Sequence, residues 1–228
     1  NKKMPEKILI TGSNSNIAKN LIKNIPKNIT IKKINSKDIN FSNLKDIKIK
    51  KNFFLQFDKI FFFHSKIGNK RIDFKDINKI NESVSVNLIS QIFISEYCLQ
   101  RNKKVKIFFV GSESGIKGSY DIVYGLMKSA IHKYVEERKL LFPKQKIFCI
   151  APSTVIDSNF TKLRKDQKNV LKSISNNPKK RGIFSKEVAE IIYEIMFKKK
   201  FDYLSNTVIH LNGGKFARMW FKWDIFKI

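Results

Sequence analysis

Short runs of consecutive apolar residues recur along this chain and alternate with segments whose apolar residues follow helical spacing. A strand buried on both faces of a parallel sheet is apolar throughout, whereas a half-exposed strand alternates apolar and polar residues. The pattern predicts an α/β fold, a doubly wound, Rossmann-type sheet of about seven mainly parallel strands with helices on both faces. The predicted strands are Lys7–Ile10, Ile29–Ile34, one short strand within residues 38–58, Lys59–Phe63, Val105–Val110, Lys146–Ile150 and Val208–Leu211.

Helical spacing of apolar residues predicts the elements that would cover this sheet. One helix follows the first strand, a long helix spans Ile77–Leu99, and a third begins near Tyr124. A further helix is predicted at Lys186–Phe197, with Ser185 as its N-cap. Together with the strands, these helices give the alternating order expected of a doubly wound fold.

Two regions lack a clear pattern of either kind. Residues 157–182 are polar, basic and weakly patterned, which predicts a mobile loop or lid over a site. Residues 215–228 form an aromatic tail, which we expect to cover a subunit interface or the edge of the core. No internal repeat or long linker divides residues 1–228, so a single domain is expected.

The chain is strongly basic, with a formal net charge of +27 over 228 residues. Clustered Lys and Arg would indicate nucleic-acid binding, but here the basic residues are scattered along the whole sequence. No nucleic-acid partner is therefore expected. The positive charge should still attract anionic substrates or cofactors.

The two cysteines and the lengths of the apolar runs bear on location and metal binding. Cys98 and Cys149 both lie inside apolar runs, which predicts buried thiols in a reducing compartment and no Cys-based metal site. No apolar run approaches the 18 to 20 residues, roughly, of a membrane span. The chain begins directly with a predicted strand and has no signal sequence, so we expect a cytoplasmic protein.

A tyrosine and a lysine separated by four positions form the strongest chemical signal, within the segment VGSESGIKGSYDIVYGLMK from Val110 to Lys128. Residues at i and i+4 project from the same side of a helix, so Lys128 can lie near Tyr124. A neighbouring positive charge favours the phenolate and lowers the phenol pKa from about 10. The pair predicts a group that exchanges protons near neutral pH.

The turn TGSNSNIA after the first strand could bind phosphate through backbone N–H groups at the start of a helix. An ordinary strand-to-helix turn would have the same pattern, so both interpretations stay open. After the second strand, no acidic residue stands where an NAD-preferring site would place one for the ribose. Lys37 could instead meet a 2′-phosphate, which favours NADP over NAD, whereas Asp38 could be an adenine-side contact. His64 could touch a cofactor or be a hydrogen-bonded structural histidine.

Seven sequence elements, in order, resemble the short-chain dehydrogenase/reductase family over nearly the whole chain. They are TGSNSNIA, HSKIG, Asn87 in VNLISQIF, Ser112 in VGSESG, YGLMK, APSTVIDSNF and LNGG. The departures are Asn16 and Ala18 where the family usually has glycines in the first turn, His64 and its neighbours in place of Asn-Asn-Ala-Gly, and Ser153 after Pro152.

The resemblance implies a catalytic group of Ser112, Tyr124, Lys128 and Asn87. Tyr124 would pass a proton to the substrate oxygen as hydride arrives from a nicotinamide, and Lys128 would lower the tyrosine pKa and hold the nicotinamide ribose. Ser112 would polarise the carbonyl, and Asn87 would anchor a water for proton relay. The cofactor, NADP or NAD, would be held by Gly12, Ser13, Asn14, Asn16, Ile17, Lys37, Asp38, His64, Ser65, Lys66, Pro152 and Val155.

These implications lead to a set of functional expectations. We expect an oxidoreductase, assembled as a homodimer or homotetramer, that acts on a small carbonyl compound able to carry a phosphate. A keto-sugar or similar polar intermediate of surface-polysaccharide synthesis is favoured because the segment between Gly12 and His64 is short and the predicted lid is basic. The alternatives are a reductase of 3-oxoacyl thioesters and a catalytically weak dinucleotide-binding regulator or scaffold.

Overall fold

Six parallel strands form one sheet at the centre of the structure, a computed structural model that describes residues 5–67, 76–119 and 121–215. The strand order is β2-β1-β3-β4-β5-β6, and every neighbouring pair is parallel. The predicted doubly wound, Rossmann-type fold is confirmed. The strands are β1 (Lys7–Thr11), β2 (Thr30–Ile34), β3 (Lys59–Phe62), β4 (Lys106–Val110), β5 (Lys146–Pro152) and β6 (Thr207–Leu211).

The segments that connect these strands differ from prediction in several places. They are α1 (Asn16–Asn24), α2 (Leu44–Ile49), α3 (Lys51–Phe54), α4 (Ile77–Val84), α5 (Ser90–Arg101), α6 (Ser114–Lys117), α7 (Ile122–Glu137), α8 (Asn159–Lys162), α9 (Gln167–Ser175) and α10 (Ser185–Phe197). The strand expected within residues 38–58 is not formed, and α2 and α3 occupy that segment. The predicted long helix contains a π-helical turn, Ser85–Ile89, between α4 and α5. The predicted loop 157–182 contains α8 and α9.

The start of α10 also departs from prediction. Ser185 is the first helical residue rather than the N-cap, and Phe184 precedes the helix. The Glu187 carboxylate accepts a hydrogen bond from the Phe184 N–H at 2.9 Å, as an acidic residue in a first turn can. The helix thus begins one residue earlier than its sequence suggested.

Neighbouring phenylalanines in the central strands point to opposite faces of the sheet. Phe61 and Phe108 pack in the core cluster that includes residues of α1 and α10. Phe62 and Phe109 pack in the other cluster, which includes residues of α5 and α7. Side chains alternate across a strand, so a strand covered on both faces needs apolar residues at every position. The continuous apolar runs are therefore explained by burial of both faces of the sheet, as the prediction assumed.

The strand order creates a cleft at one edge of the sheet. From β1 the chain moves outward to β2 and then returns to the opposite side of β1 to form β3. Segments leave β1 and β3 in different directions at this switch point, which opens a crevice beyond their carboxyl ends. No helix among residues 5–67, 76–119 and 121–215 is long and apolar enough to cross a bilayer.

Candidate active site

A cleft of about 550 Å³ lies beyond the carboxyl ends of the strands. This volume lies in the range of small-molecule and cofactor sites, roughly 300–1,000 Å³. The predicted residues that line it are Gly12, Asn14, Asn16, Ile17, His64, Ser65, Lys66, Ser112, Tyr124, Lys128, Pro152 and Val155. Ser13, Lys37, Asp38 and Asn87 are not among its lining residues.

Tyr124 lies in the first turn of α7, where Asp121 caps the helix. The Asp121 Oδ1 accepts a hydrogen bond from the Tyr124 N–H at 3.2 Å, which fixes the start of the helix. Burial raises the pKa of the Tyr124 phenol from 10 to about 12, although hydrogen bonding with Ser112 and Ser65 lowers it. The phenol is therefore protonated at neutral pH. The hydroxyl groups of Ser112 and Ser65 oppose the effect of burial, and the lowering of this pKa by Lys128 stays a prediction.

Lys128 lies one helical turn beyond Tyr124, on the same side of α7 as predicted. Its Nζ donates a hydrogen bond to the Val110 carbonyl at 2.7 Å and lies 5.5 Å from the centroid of the Tyr124 ring. The side chain is buried, and this burial lowers the pKa of Lys128 from 10.5 to about 8. The ammonium is thus still the main form at pH 7, held between the end of β4 and the tyrosine.

Ser112 follows β4 in a loop whose backbone has several partners. Its Oγ accepts a hydrogen bond from the Ser114 N–H at 3.1 Å. Its own N–H donates to Nε2 of His132 at 3.3 Å, across twenty residues of sequence. Sequence reasoning missed His132, although it repeats the four-residue spacing that relates Tyr124 to Lys128. Tyr124, Lys128 and His132 all lie along one side of α7.

Asn87 lies in the π-helical turn and is fully buried. Its Oδ1 accepts hydrogen bonds from the Ser65 hydroxyl at 2.7 Å and the Lys66 N–H at 2.8 Å. Its Nδ2 donates to the Lys66 carbonyl at 2.7 Å and the Ser83 hydroxyl at 3.1 Å. These four hydrogen bonds occupy the whole amide. The side chain therefore holds the segment after β3 beneath the cleft instead of lining it, and water anchoring by Asn87 stays a prediction.

The turn after β1 is built around Gly12, which has φ +60°. A Cβ at this position would lie 2.4 Å from the His64 backbone nitrogen, so only glycine fits. Ser15 caps α1 by accepting a hydrogen bond from the Ala18 N–H at 3.2 Å, and the start of α1 lines the cleft. Backbone N–H groups at such a helix start favour bound phosphate. Ser13 is instead buried, and its N–H donates to the Ile34 carbonyl at 3.3 Å.

The two residues predicted to contact the adenosine half of a cofactor do not line the cleft. Asp38 caps its own turn, because its Oδ2 accepts a hydrogen bond from the Asn35 N–H at 2.8 Å. The Lys37 N–H donates to the Asn35 Oδ1 at 2.9 Å within the same turn. The cleft is lined here by residues that sequence reasoning missed, namely Asn35, Ser36, Asn40 and Phe41. The preference for NADP over NAD stays a prediction.

His64 lines the cleft, yet both of its ring nitrogens are engaged by the protein. Nδ1 lies 2.6 Å from the Thr11 hydroxyl and Nε2 lies 3.1 Å from the Ser90 hydroxyl. The ring stacks on Phe41 with centroids 3.8 Å apart. Burial, followed by the charge of Lys128, lowers the pKa of His64 from 6.5 to about 3. Of the two roles considered, the hydrogen-bonded structural histidine fits these contacts.

The segment after β5 contributes further residues to the lining of the cleft. Arg164, between α8 and α9, lines the cleft and pairs with Asp166 through two contacts of 2.8 and 2.5 Å. Lys215 lies beyond β6, and its Nζ contacts Glu113 at 3.1 and 3.2 Å and donates to the Ser173 hydroxyl of α9 at 2.8 Å. The predicted tail beyond this residue, 216–228, lies outside the described residues. The segment after β5 is thus tied both to the loop that carries Ser112 and to the end of β6.

The parallel sheet, its strand order and the cleft at its carboxyl edge define a Rossmann-type fold. By sequence, no family model matches the chain and no curated protein matches it. By structure, it is similar to a short chain dehydrogenase family protein from Francisella tularensis subsp. tularensis SCHU S4, at TM-score 0.76 and 20% identity, covering 94% of this chain and 100% of that one. An oxidoreductase of the short chain dehydrogenase/reductase family from Burkholderia thailandensis gives TM-score 0.78 at 14% identity, with coverages of 95% and 94%.

A third similar structure contains a cofactor. It is a candidate 2-deoxy-d-gluconate 3-dehydrogenase from Agrobacterium tumefaciens with bound NADP, at TM-score 0.77 and 18% identity, covering 93% of this chain and 97% of that one. At these identities the similarity establishes the fold, which is that of the short-chain dehydrogenases/reductases.

Proposed function

We propose that the chain is a cytoplasmic, NAD(P)-dependent oxidoreductase of the short-chain dehydrogenase/reductase family. The observation that carries the proposal is the grouping of Ser112, Tyr124 and Lys128 at the cleft, with Ser112 and Ser65 hydrogen-bonded to the buried phenol. A polar, proton-bearing group at the carboxyl edge of a parallel sheet is placed for chemistry on a bound ligand. The fold similarity supports the same reading.

A nicotinamide dinucleotide fits the residues on the other side of the cleft. Gly12 has no room for a Cβ, and the capped start of α1 offers backbone N–H groups to a pyrophosphate. Gly12, Asn14, Asn16 and Ile17 would hold the phosphates, and Pro152 and Val155, which also line the cleft, would contribute to holding the cofactor. When bound, this cofactor supplies or accepts the hydride.

The protein groups perform the proton transfer. In the direction of reduction, the Ser112 hydroxyl donates a hydrogen bond to the substrate oxygen and polarises the carbonyl. The Tyr124 phenol, protonated at neutral pH, transfers its proton to that oxygen as negative charge develops. The phenolate that remains is stabilised by the Lys128 ammonium and by Ser65. The reverse sequence of proton transfers applies to alcohol oxidation.

Turnover of a carbonyl substrate with NADPH or NADH tests this proposal. Tyr124→Phe should lower kcat by at least about 100-fold, because it removes the proton donor and keeps the ring. Cofactor binding, followed by protein fluorescence, should stay within a few-fold. Tyr203→Phe is the matched control, since Tyr203 is fully exposed on the surface. A Tyr124→Phe protein with the activity of the control would contradict the proposal.

We favour a keto-sugar or similar polar compound that carries a phosphate as the substrate. Arg164 supports this choice, because its side chain lies among the residues that line the cleft. A guanidinium forms bidentate contacts with phosphate, and here a phosphate would share Arg164 with Asp166, which accepts from its Nε and Nη2. In a panel of nucleotide-linked keto-sugars and an acetoacetyl thioester, Arg164→Gln should raise KM at least about 10-fold for the phosphorylated compounds only.

Arg181→Gln is the control for that measurement, because Arg181 pairs with Glu187 at the surface and does not line the cleft. Equal turnover of the acetoacetyl thioester and the best sugar compound would favour the 3-oxoacyl-thioester alternative. Running the panel with NADPH and NADH in parallel decides the cofactor preference.

A catalytically weak dinucleotide-binding regulator or scaffold is the second candidate. Its motivation is the presence of Asn16, Ala18 and Ser153 at positions where the family usually has glycine. Measurable affinity for NADPH or NADH without any change in absorbance, in both the parent and Tyr124→Phe, would support this alternative.

We further propose that the chain assembles as a homodimer or homotetramer. Phe93 on α5 and Ile122 and Leu126 on α7 leave 36%, 52% and 58% of their surfaces exposed. Large apolar groups exposed on neighbouring helices are typical of contact surfaces. Light scattering after gel filtration should give a dimeric or larger mass, and Leu126→Lys should reduce it.

A further inference from the structure

His132 is a buried histidine on the side of α7 that carries Tyr124 and Lys128. Only 7% of its surface is exposed. Its Nε2 accepts the hydrogen bond from the Ser112 N–H at 3.3 Å. A ring nitrogen that accepts a hydrogen bond carries no proton, so the neutral ring must be protonated on Nδ1.

The loop around Ser112 packs closely against the His132 imidazole. A Cβ on Gly111 would lie 2.3 Å from His132 Nε2, and a Cβ on Gly115 would lie 2.8 Å from His132 Cε1. The imidazole thus leaves no room for a side chain at either glycine, together with Cys149 Sγ at Gly111 and the Ser129 backbone nitrogen at Gly115. The ring lies directly beneath the loop, in contact with its backbone on both sides of Ser112.

The other backbone N–H groups of this loop donate to acceptors that are not titratable. The N–H groups of Gly111 and Glu113 donate to carbonyl oxygens of β5 at 2.7 and 3.0 Å. The Ser114 N–H donates to the Ser112 hydroxyl at 3.1 Å. The Ser112 N–H differs, because its partner is the His132 side chain, which can accept a hydrogen bond at Nε2 only while that nitrogen is unprotonated.

We propose that His132 is a positioning residue for Ser112: its neutral imidazole holds the Ser112 N–H and so orients the hydroxyl, and protonation of the ring releases that contact. This inference rests on the proposed oxidoreductase function, in which the Ser112 hydroxyl polarises the substrate. A protonated ring donates from both nitrogens, so Nε2–H would face the N–H of Ser112. Two donors repel each other, and the loop must move.

The surroundings of the ring keep it neutral near pH 7. The titratable groups that face it are His210 of β6, Lys128 of α7 and Cys149 of β5. The His210 ring centroid lies 5.7 Å from that of His132. Burial, followed by the charges of His210 and Lys128, lowers the pKa of His132 from 6.5 to about 4. The contact with Ser112 therefore holds above about pH 5 and is lost as the pH falls toward 4.

Two substitutions at one position separate the contact from the volume of the side chain. His132→Leu removes the acceptor and should lower kcat by about 10- to 100-fold with little change in KM for the cofactor. His132→Gln supplies an amide oxygen that cannot titrate in this range, and it should restore most of the lost kcat. His132→Gln should also lack the decline in kcat that the parent shows between pH 5.5 and 4.5. His210→Gln, at an exposed site, should keep a decline and shift it to higher pH, because it removes a charge that lowers the pKa of His132.

The amide signal of Ser112 in ¹H–¹⁵N NMR reports the contact without turnover. It should shift with pH toward 4 in the parent and stay fixed in His132→Gln, with circular dichroism showing the folded state at each pH. The inference is overturned if His132→Leu keeps kcat within 3-fold of the parent, or if His132→Gln shows the same acid decline and the same Ser112 titration.

If His132→Leu does not fold, the comparison of the parent with His132→Gln decides. A parent that turns over no carbonyl compound refutes the proposed function, and with it the catalytic role of the contact. If the parent is active but its Ser112 amide signal does not follow the titration of His132, this inference is refuted and the proposed function is not.

Discussion

His64 should make the fold sensitive to mild acid, in a pH range where carboxylates are still charged. Its pKa is lowered by burial, and then by Lys128, from 6.5 to about 3, so the unfolded chain takes up a proton more readily than the folded one. Stability is therefore full above pH 6.5 and declines as the pH falls from 6.5 toward 3. Integrating this proton uptake from pH 7 to pH 5 gives a loss of about 2 kcal/mol in the free energy of unfolding.

The substitution His64→Asn tests this magnitude. Asn does not titrate and keeps a polar group between the hydroxyls of Thr11 and Ser90. It loses the stacking on Phe41, so we expect lower stability at pH 7 by about 1–3 kcal/mol. The decisive quantity is the change with pH. Between pH 7 and pH 5 the variant should lose about 2 kcal/mol less than the parent.

Urea unfolding followed by circular dichroism at pH 7, 6 and 5 measures these differences. His210→Asn is the control, because His210 is exposed; its removal takes away a charge that lowers the pKa of His132, so it should lessen only the part of the decline that His132 contributes. His132 contributes a decline of the same sign in all three proteins, since its pKa is also lowered by burial, to about 4. The reasoning is refuted if His64→Asn loses as much stability as the parent between pH 7 and pH 5.

Three further outcomes follow from individual contacts. Gly12→Ala should lower the free energy of unfolding by about 2–4 kcal/mol in thermal melts, because its Cβ would meet the His64 backbone at φ +60°. A decrease of less than about 1 kcal/mol in the free energy of unfolding of Gly12→Ala would contradict this prediction. Asn87→Ala should cost about 2–4 kcal/mol by leaving buried partners unpaired, and unchanged urea midpoints would argue against this. The kcat of reduction should decline as the pH rises above 8, where Lys128, with its pKa lowered by burial to about 8, loses its charge; a flat profile to pH 9.5 would exclude this.

The parts of the site that sequence reasoning predicted are those fixed by periodicity. Tyr124 and Lys128 lie four residues apart on one helix, and the repeat of the helix brings both to one side without further information. The same holds for Phe61 and Phe108, whose neighbours in the strands must point to the opposite face. Strand periodicity, helix periodicity and the parallel connection together place these groups at one edge of the sheet.

The parts that were missed depend on local competition for hydrogen bonds. Asp38 was expected as an adenine-side contact; its carboxylate accepts the Asn35 N–H three residues earlier and it does not line the cleft, so that contact stays a prediction. Asp and Asn readily satisfy backbone groups nearby, and spacing alone does not show which use prevails. For the same reason the segment after β2 forms no strand: Asn43 caps α2 by accepting from the N–H groups of Lys45 and Asp46 at 3.1 and 3.4 Å.

Contacts between segments far apart in the sequence could not be predicted from it for a different reason. The partner of His132 is a backbone N–H, which every residue except proline has, so no residue type marks it. The glycines at 111 and 115 gave a weak signal, because their lack of side chains makes room for the ring. Only the packing of α7 against the end of β4 brings them together.

One departure from the glycine pattern of the predicted cofactor turn, Asn16, has a physical explanation in a polar network. Asn16, in place of glycine, donates from Nδ2 to the carbonyl of Asp157 in the segment after β5. The carboxylate of Asp157 accepts hydrogen bonds from both the N–H, at 2.8 Å, and the hydroxyl of Ser185 at the start of α10. Asn20 of α1 donates to the same hydroxyl at 2.9 Å. The substitution thus links the turn to α10 and to the chain that covers the cleft, while the start of α1 still lines it. Since phosphate would be bound by backbone groups there, the change from glycine fixes the turn without removing a binding group.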